Sequence, residues 1–126
     1  MRAPTCVAEE VSSRATDSRP ARRVKEIHNF ECQVCGQTLM VPGGRYCEAA
    51  YVRPPGSPHG GSDSEDNILC LCPNHRVMFE HGTFGVGSDF QLIGIRLYKS
   101  LRVHPEHKIE KENLEYHRDH ILERQS

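Results

Sequence analysis

The chain has 126 residues, one domain's worth, of which 37% are apolar and none is Trp, so the core it can bury is thin for its length. Its net charge of −1 excludes a whole-chain attraction to nucleic acid and leaves that contact to local patches. No apolar stretch after Met1 is long enough for a signal peptide or a membrane span. The expected location is therefore the cytoplasm, where six Cys and eight His in so short a chain favour a metal staple over disulfides.

Residues 1–19 carry Ala, Ser, Thr, Pro and mixed charges without an apolar period, and read as a disordered tail or linker remnant before a domain over 20–126. Cys6 in this tail reads as a free thiol. From Pro20 the spacing predicts a short helix with Val24 and Ile27 inward and a basic outer face of Arg22, Arg23 and Lys25. Cys32-Gln33-Val34-Cys35-Gly36 follows as a knuckle, two thiolates within reach of one ion with a Gly to turn the chain. Thr38–Val41 and Tyr46–Val52 are predicted strands, paired as a hairpin around Pro42-Gly43-Gly44.

Arg53 to Asn67 is a long loop rich in Pro, Gly, Ser and acids. Ile68–Leu71 is a short apolar strand running into Cys72-Pro73-Asn74-His75, which opens a helix to about His81 with Val77 and Met78 inward and Gly82 as its stop. Phe84–Val86 and Phe90–Ile95 read as another hairpin, Leu97–Val103 as extended chain, and Ile109–Leu122 as a closing helix with Leu114, His117 or Arg118, and Ile121 on one face.

Zinc wants four soft or borderline ligands in a tetrahedron. Cys32 and Cys35 supply one pair. The second is Cys72 with His75, or Cys70 with Cys72. Cys72-x-x-His75 repeats the knuckle spacing, whereas Cys70 and Cys72 lie too far apart along a strand to chelate easily, so the expected set is Cys32, Cys35, Cys72 and His75. Cys47 and Cys70, beside apolar neighbours, read as core thiols. His104, His107, His117 and His120 read as surface and packing residues rather than a second metal site.

Several motifs occur in a fixed order: Cys32-x-x-Cys35-Gly36, Glu48-Ala49-Ala50-Tyr51-Val52-Arg53-Pro54, Pro58-His59, Asp66 to His75, and Phe79-Glu80-x-Gly82. Together they resemble the HNH endonuclease family, and more narrowly the C-terminal HNH domain of modification-dependent restriction enzymes in which a base-reading SRA domain comes first. The similarity runs from about Arg22 to Ile121. The resemblance implies an α+β fold, a small zinc-stapled ββα-metal core with flanking helices and an extra hairpin. It implies DNA, modified or not, as partner, and a separate base-reading domain or a homodimer as further partners.

In that family a His ending the first strand is the general base, a His just after the zinc turn holds a catalytic Mg²⁺ or Mn²⁺, and an Asn between them orients the base. Carried onto this chain, those positions are Tyr51, Arg76 and Asn67. Asn67 matches and the other two depart. A Tyr hydroxyl has a reference pKa of about 10 and is a poor base at neutral pH. Arg has no lone pair for a metal, but can grip a phosphate. Glu48, His59 and His81 lie near the motifs as possible compensators.

The leading expectation is therefore an HNH-type DNA-binding domain with weak or no hydrolysis, contacting nucleic acid through Arg22, Arg23, Lys25, Arg53 and Arg76. The alternatives are an active metal-dependent restriction-type endonuclease with a rearranged site, and a zinc-stapled protein-interaction module.

Overall fold

The structure is a computed structural model and describes residues 17–123, so residues 1–16 of the expected tail over 1–19 lie outside the described residues. Asp17 and Ser18 already belong to the folded part. Ser18 Oγ accepts a hydrogen bond from Ala21 N at 3.2 Å and caps helix α1, Arg19–Ile27. Ala21 and Val24 of α1 are buried, Ile27 is half-buried, and Lys25 turns inward to pair with Asp17. The predicted basic face thus keeps Arg22 and Arg23 at the surface and loses Lys25.

The centre of the molecule is a two-stranded antiparallel sheet of β3, Glu48–Tyr51, and β4, Ile68–Leu71, in the register Glu48↔Leu71 to Tyr51↔Ile68. All four β4 residues are buried. α1 and helix α2, Pro73–Glu80, pack against this hairpin, and Phe79, Phe84 and Leu114 fill the core beside it. The strand pair and α2 thus form the predicted ββα unit with α1 on its flank, and the expected α+β class holds.

The predicted strand Tyr46–Val52 is two strands in different sheets. β1, Leu39–Val41, pairs with β2, Gly44–Tyr46, through a turn at Pro42-Gly43, while β3 leaves to pair with β4. The break falls at Cys47, which is buried with Sγ 3.7 Å from the Gln37 carbonyl. Burial explains the exchange of partners. β1 offers the exposed Leu39 and Met40, whereas β4 lets Ala50 on β3, and Val52 just beyond it, disappear from solvent.

β5, Gly85–Val86, and β6, Leu92–Ile93, form the expected second hairpin. The segment after it lies alongside, with Ser100 bridging Gln91 and Leu101 N donating to the Phe90 carbonyl at 2.8 Å. Helix α3, Lys111–His120, buries Leu114 and His117. His117 stacks on Phe79 at 3.8 Å between centroids and hydrogen bonds to the Phe79 carbonyl at 2.9 Å, so this His is a core residue. No helix among the described residues is long and apolar enough to cross a membrane.

Candidate metal centre and altered cleft

The knuckle is set by backbone geometry. Cys32 N donates to the Gln37 carbonyl at 2.9 Å and Gly36 N to the Cys32 carbonyl at 2.7 Å, while Gly36 takes φ +76°. Cys72 is the N-cap of α2, which brings His75 round one turn towards it. The ligand atoms of Cys32, Cys35, Cys72 and His75 lie within 4.8 Å of one another. Cys72 Sγ is 3.3 Å and Cys32 Sγ 3.7 Å from His75 Nδ1, and Cys35 Sγ is 4.0 Å from Cys72 Sγ. A tetrahedron with ordinary Zn–S and Zn–N bonds has edges of about 3.8 Å between sulfurs and about 3.6 Å from sulfur to nitrogen.

The four side chains therefore fit zinc and could hold it. Burial pushes the metal-free Cys32 thiol up to about 12 and raises Cys72 as well, while burial lowers His75 and keeps its imidazole in the neutral, ligating form. Cys70 stays out of the set. It is fully buried and its thiol is held protonated by a hydrogen bond with Cys47 and by burial.

Gln33, one of the two residues between the knuckle thiols, is also buried. Its Oε1 accepts from Cys70 N and its Nε2 donates to the Arg102 carbonyl, both at 2.8 Å. A spacing motif treats this position as filler. The structure makes it the clip between knuckle, central sheet and the segment after β6.

α2 presents three faces. His75 and Phe79, four apart, point to the metal centre and the core, Arg76 and Glu80 line a cleft, and Val77 is 52% exposed, against the expected inward placement. His75 faces the thiols of Cys32 and Cys72, and this sets the helix phase, so the inward residue one turn later is Phe79. Met78 is partly buried against the core as expected.

The cleft has a volume of roughly 240 Å³ and is lined by Asp17, Tyr46, Glu48, Tyr51, Arg76 and Glu80. Arg76 Nη1 donates to Glu48 Oε1 at 3.0 Å and Nε to Glu80 Oε2 at 3.3 Å. Burial works against the Arg76 charge, but the two carboxylates more than offset it and its pKa is raised. Glu48 is fixed from its other side by the Tyr46 hydroxyl at 2.6 Å. The Tyr51 hydroxyl donates to Asp63 Oδ1 at 2.9 Å, and its pKa is raised by burial and by that acceptor. Tyr51 is thus moved further from acting as a base.

Asn67 is fully buried and spends its whole amide on the loop. Nδ2 donates to the carbonyls of Arg53 at 2.9 Å and Ser62 at 2.8 Å, and Oδ1 accepts from Arg53 N at 2.8 Å. His59 hydrogen bonds through Nδ1 to the Tyr116 hydroxyl at 2.6 Å and does not line the cleft. Arg53 donates to the His59 carbonyl at 2.6 Å and lies over the Tyr116 ring at 4.2 Å, so its guanidinium is held within the protein. His81 caps the C-terminus of α2 and is exposed. Arg23 is at the surface, paired with Glu106 at 3.0 Å.

The family described as HNH endonuclease matches over residues 32–87, the span that holds both halves of the metal centre and the cleft. The chain belongs to the HNH endonuclease family. Its structure is similar to that of a solved "Modification dependent TagI restriction endonuclease", with a TM-score of 0.79 and 38% identity. The match covers 84% of this HNH chain and 38% of the restriction enzyme, so the chain spans well under half of that protein. No curated protein matches the sequence.

Proposed function

We propose that this HNH domain binds DNA and cuts it weakly or not at all. The observation that carries the reading is the Glu48–Arg76–Glu80 clasp, in which a fixed guanidinium stands where the family places a metal ligand. Two carboxylates already neutralise Arg76, and a divalent cation entering the same space meets its positive charge. Tyr51, at the base position, donates its hydroxyl proton to Asp63. Among the described residues, the group of metal-ligating side chains that converges is the Cys₃His set, whose four protein ligands suit a structural ion and leave no open position for a reacting water. The part of the zinc would be to tie α2 to the knuckle, and the chain's own residues around the cleft would shape a DNA-facing surface without activating water.

The test is nicking of supercoiled plasmid in Mg²⁺ or Mn²⁺. The expected result is no cleavage above buffer by the unaltered protein, and measurable nicking by the double variant Tyr51→His/Arg76→His. Metal-dependent nicking by the unaltered protein that disappears in Glu48→Gln would instead establish a rearranged active site. Failure to shift DNA at low salt would leave the zinc-stapled interaction module as the reading.

A further inference from the structure

A second cavity, of roughly 340 Å³, lies on the knuckle side of the molecule, between the end of α1, the Cys32 turn and residues 102–104. None of its lining residues lines the Arg76 cleft. Arg102 is its dominant charge. The Arg102 main chain is fixed at both ends of its peptide unit, N donating to the Gln33 carbonyl and the carbonyl accepting from Gln33 Nε2, each at 2.8 Å. Gln33 is itself buried and bonded to β4, so the anchor is part of the core.

The Arg102 guanidinium rests on Gly36. A Cβ there would lie 2.2 Å from Nη1, and Gly36 takes φ +76°, so the exposed guanidinium lies against the knuckle backbone at a position that suits glycine. No carboxylate among the described residues pairs with Arg102. Glu31, which itself lines the cavity, pairs with Arg45 at 3.2 Å, and Glu106 pairs with Arg23 at 3.0 Å.

The other polar groups of the wall point to the same ligand chemistry. His104 Nδ1 accepts from Glu106 N at 3.0 Å, which puts the proton of the neutral ring on Nε2. That donor has no partner among the described residues. His28 lines the same cavity and is fixed by its 2.8 Å bond to His107, whose other nitrogen meets the Glu65 carbonyl at 3.0 Å. An exposed guanidinium that no carboxylate pairs, carried on an anchored main chain, with an imidazole donor beside it and the one lining acid already paired with Arg45, forms a receptor for an anion with several acceptor oxygens.

We infer that this cavity is a phosphate-binding subsite, built on Arg102 with His104, that holds a backbone phosphate of the nucleic acid. The inference rests on DNA being the domain's partner. It moves the main phosphate contact from Arg76, which its carboxylates occupy, to a cation held free by the knuckle.

The experiment is binding of a labelled DNA duplex to the zinc-loaded protein over a salt series, for the unaltered chain, Arg102→Ala and His104→Ala. Zinc content and the thermal midpoint are measured alongside. Arg102→Ala is expected to keep its zinc and midpoint, to weaken binding roughly tenfold, and to lower the slope of log K against log salt by about one. His104→Ala is expected to lose a smaller factor. Equal affinity and slope for the unaltered chain and Arg102→Ala overturn the subsite while leaving DNA binding intact. No DNA binding by the unaltered chain overturns both. A parallel titration with inorganic phosphate, followed by NMR, separates the sources. Saturation by free phosphate without any DNA binding would assign the cavity to a small phosphate and refute the nucleic-acid assignment. If Arg102→Ala loses zinc, Arg102→Gln replaces it and is read by the same criteria.

Discussion

Asn67 is fully buried just before β4, and its bonds predict what its removal does. Three hydrogen bonds tie it to Arg53 and Ser62, across 14 and 5 residues of chain. Asn67→Ala leaves one N–H and two carbonyls, all in part-buried bonds, to find other partners. At roughly 1 kcal/mol per bond and somewhat more for groups that stay dry, the loss is about 3–4 kcal/mol. Gly61 shows how little the loop can adjust, since a Cβ there would stand 1.8 Å from the Arg53 carbonyl oxygen. Asn67→Asp sharpens the test. It keeps the acceptor for Arg53 N but turns a carboxylate oxygen towards two carbonyls, so the ionised form is disfavoured and the folded pKa rises above about 3.9. With a raised folded pKa, this variant's stability is best below the unfolded value and is lost as pH rises through the folded one. Urea unfolding at several pH values with zinc held saturating measures both effects, and hydrogen exchange over residues 53–62 locates them. A loss below about 1 kcal/mol for Asn67→Ala, or an Asn67→Asp variant that gains stability towards neutral pH relative to the unaltered chain, would refute the clamp.

His117 and His28 predict an acid limb. Burial first, then Arg118, lower His117 from 6.5 to about 4, and burial with His107 and His104 does the same for His28. Depressed histidines must take up protons on unfolding, so stability is full above about 6.5 and falls as pH drops towards 4, by about 3 kcal/mol for a group shifted as far as His117. In pH-dependent denaturation, His117→Phe should flatten that limb while costing about 1 kcal/mol at pH 7 for its bond to the Phe79 carbonyl. An unchanged acid midpoint would count against it. Chelation with a strong zinc ligand should lower the thermal midpoint and release one equivalent of zinc, because the Cys₃His set joins the knuckle to α2. Gln33→Leu should cost about 2–4 kcal/mol, read by urea unfolding, as it strands Cys70 N and the Arg102 carbonyl.

The convergence of the Cys₃His cluster was readable because ligand spacing is a local property. Cys-x-x-Cys-Gly and Cys-x-x-His bring donors together within one turn each, whatever the rest of the chain does. β4 and α2 were readable for the same reason, an apolar run stopped by Cys72-Pro73. The exchange of strand partners at Cys47 was not, because alternation says that residues are extended and not which neighbour buries them. Lys25 was misplaced because a charged residue on a short helix is taken as exposed, while its partner Asp17 lies in a stretch that looks like tail. The phase of α2 carried a usable signal. With His75 accepted as a ligand, the residue four further on must face inward, which selects Phe79 over Val77. Gln33 and Arg102 had no signal at all, since their pairing joins residues 69 apart.

The Arg76 clasp has a consequence for how the domain responds to its surroundings. A site that borrows a divalent ion from solution is filled to an extent set by ion concentration, and its stability rises and falls with that supply. A guanidinium carried on α2 is present in every copy from the moment the chain folds. Chelators cannot strip it, competing metals cannot replace it, and starvation for magnesium does not empty it. On the proposed reading the cleft carries its positive charge as part of the chain, and its electrostatics become a constant of the sequence rather than a variable of the cell.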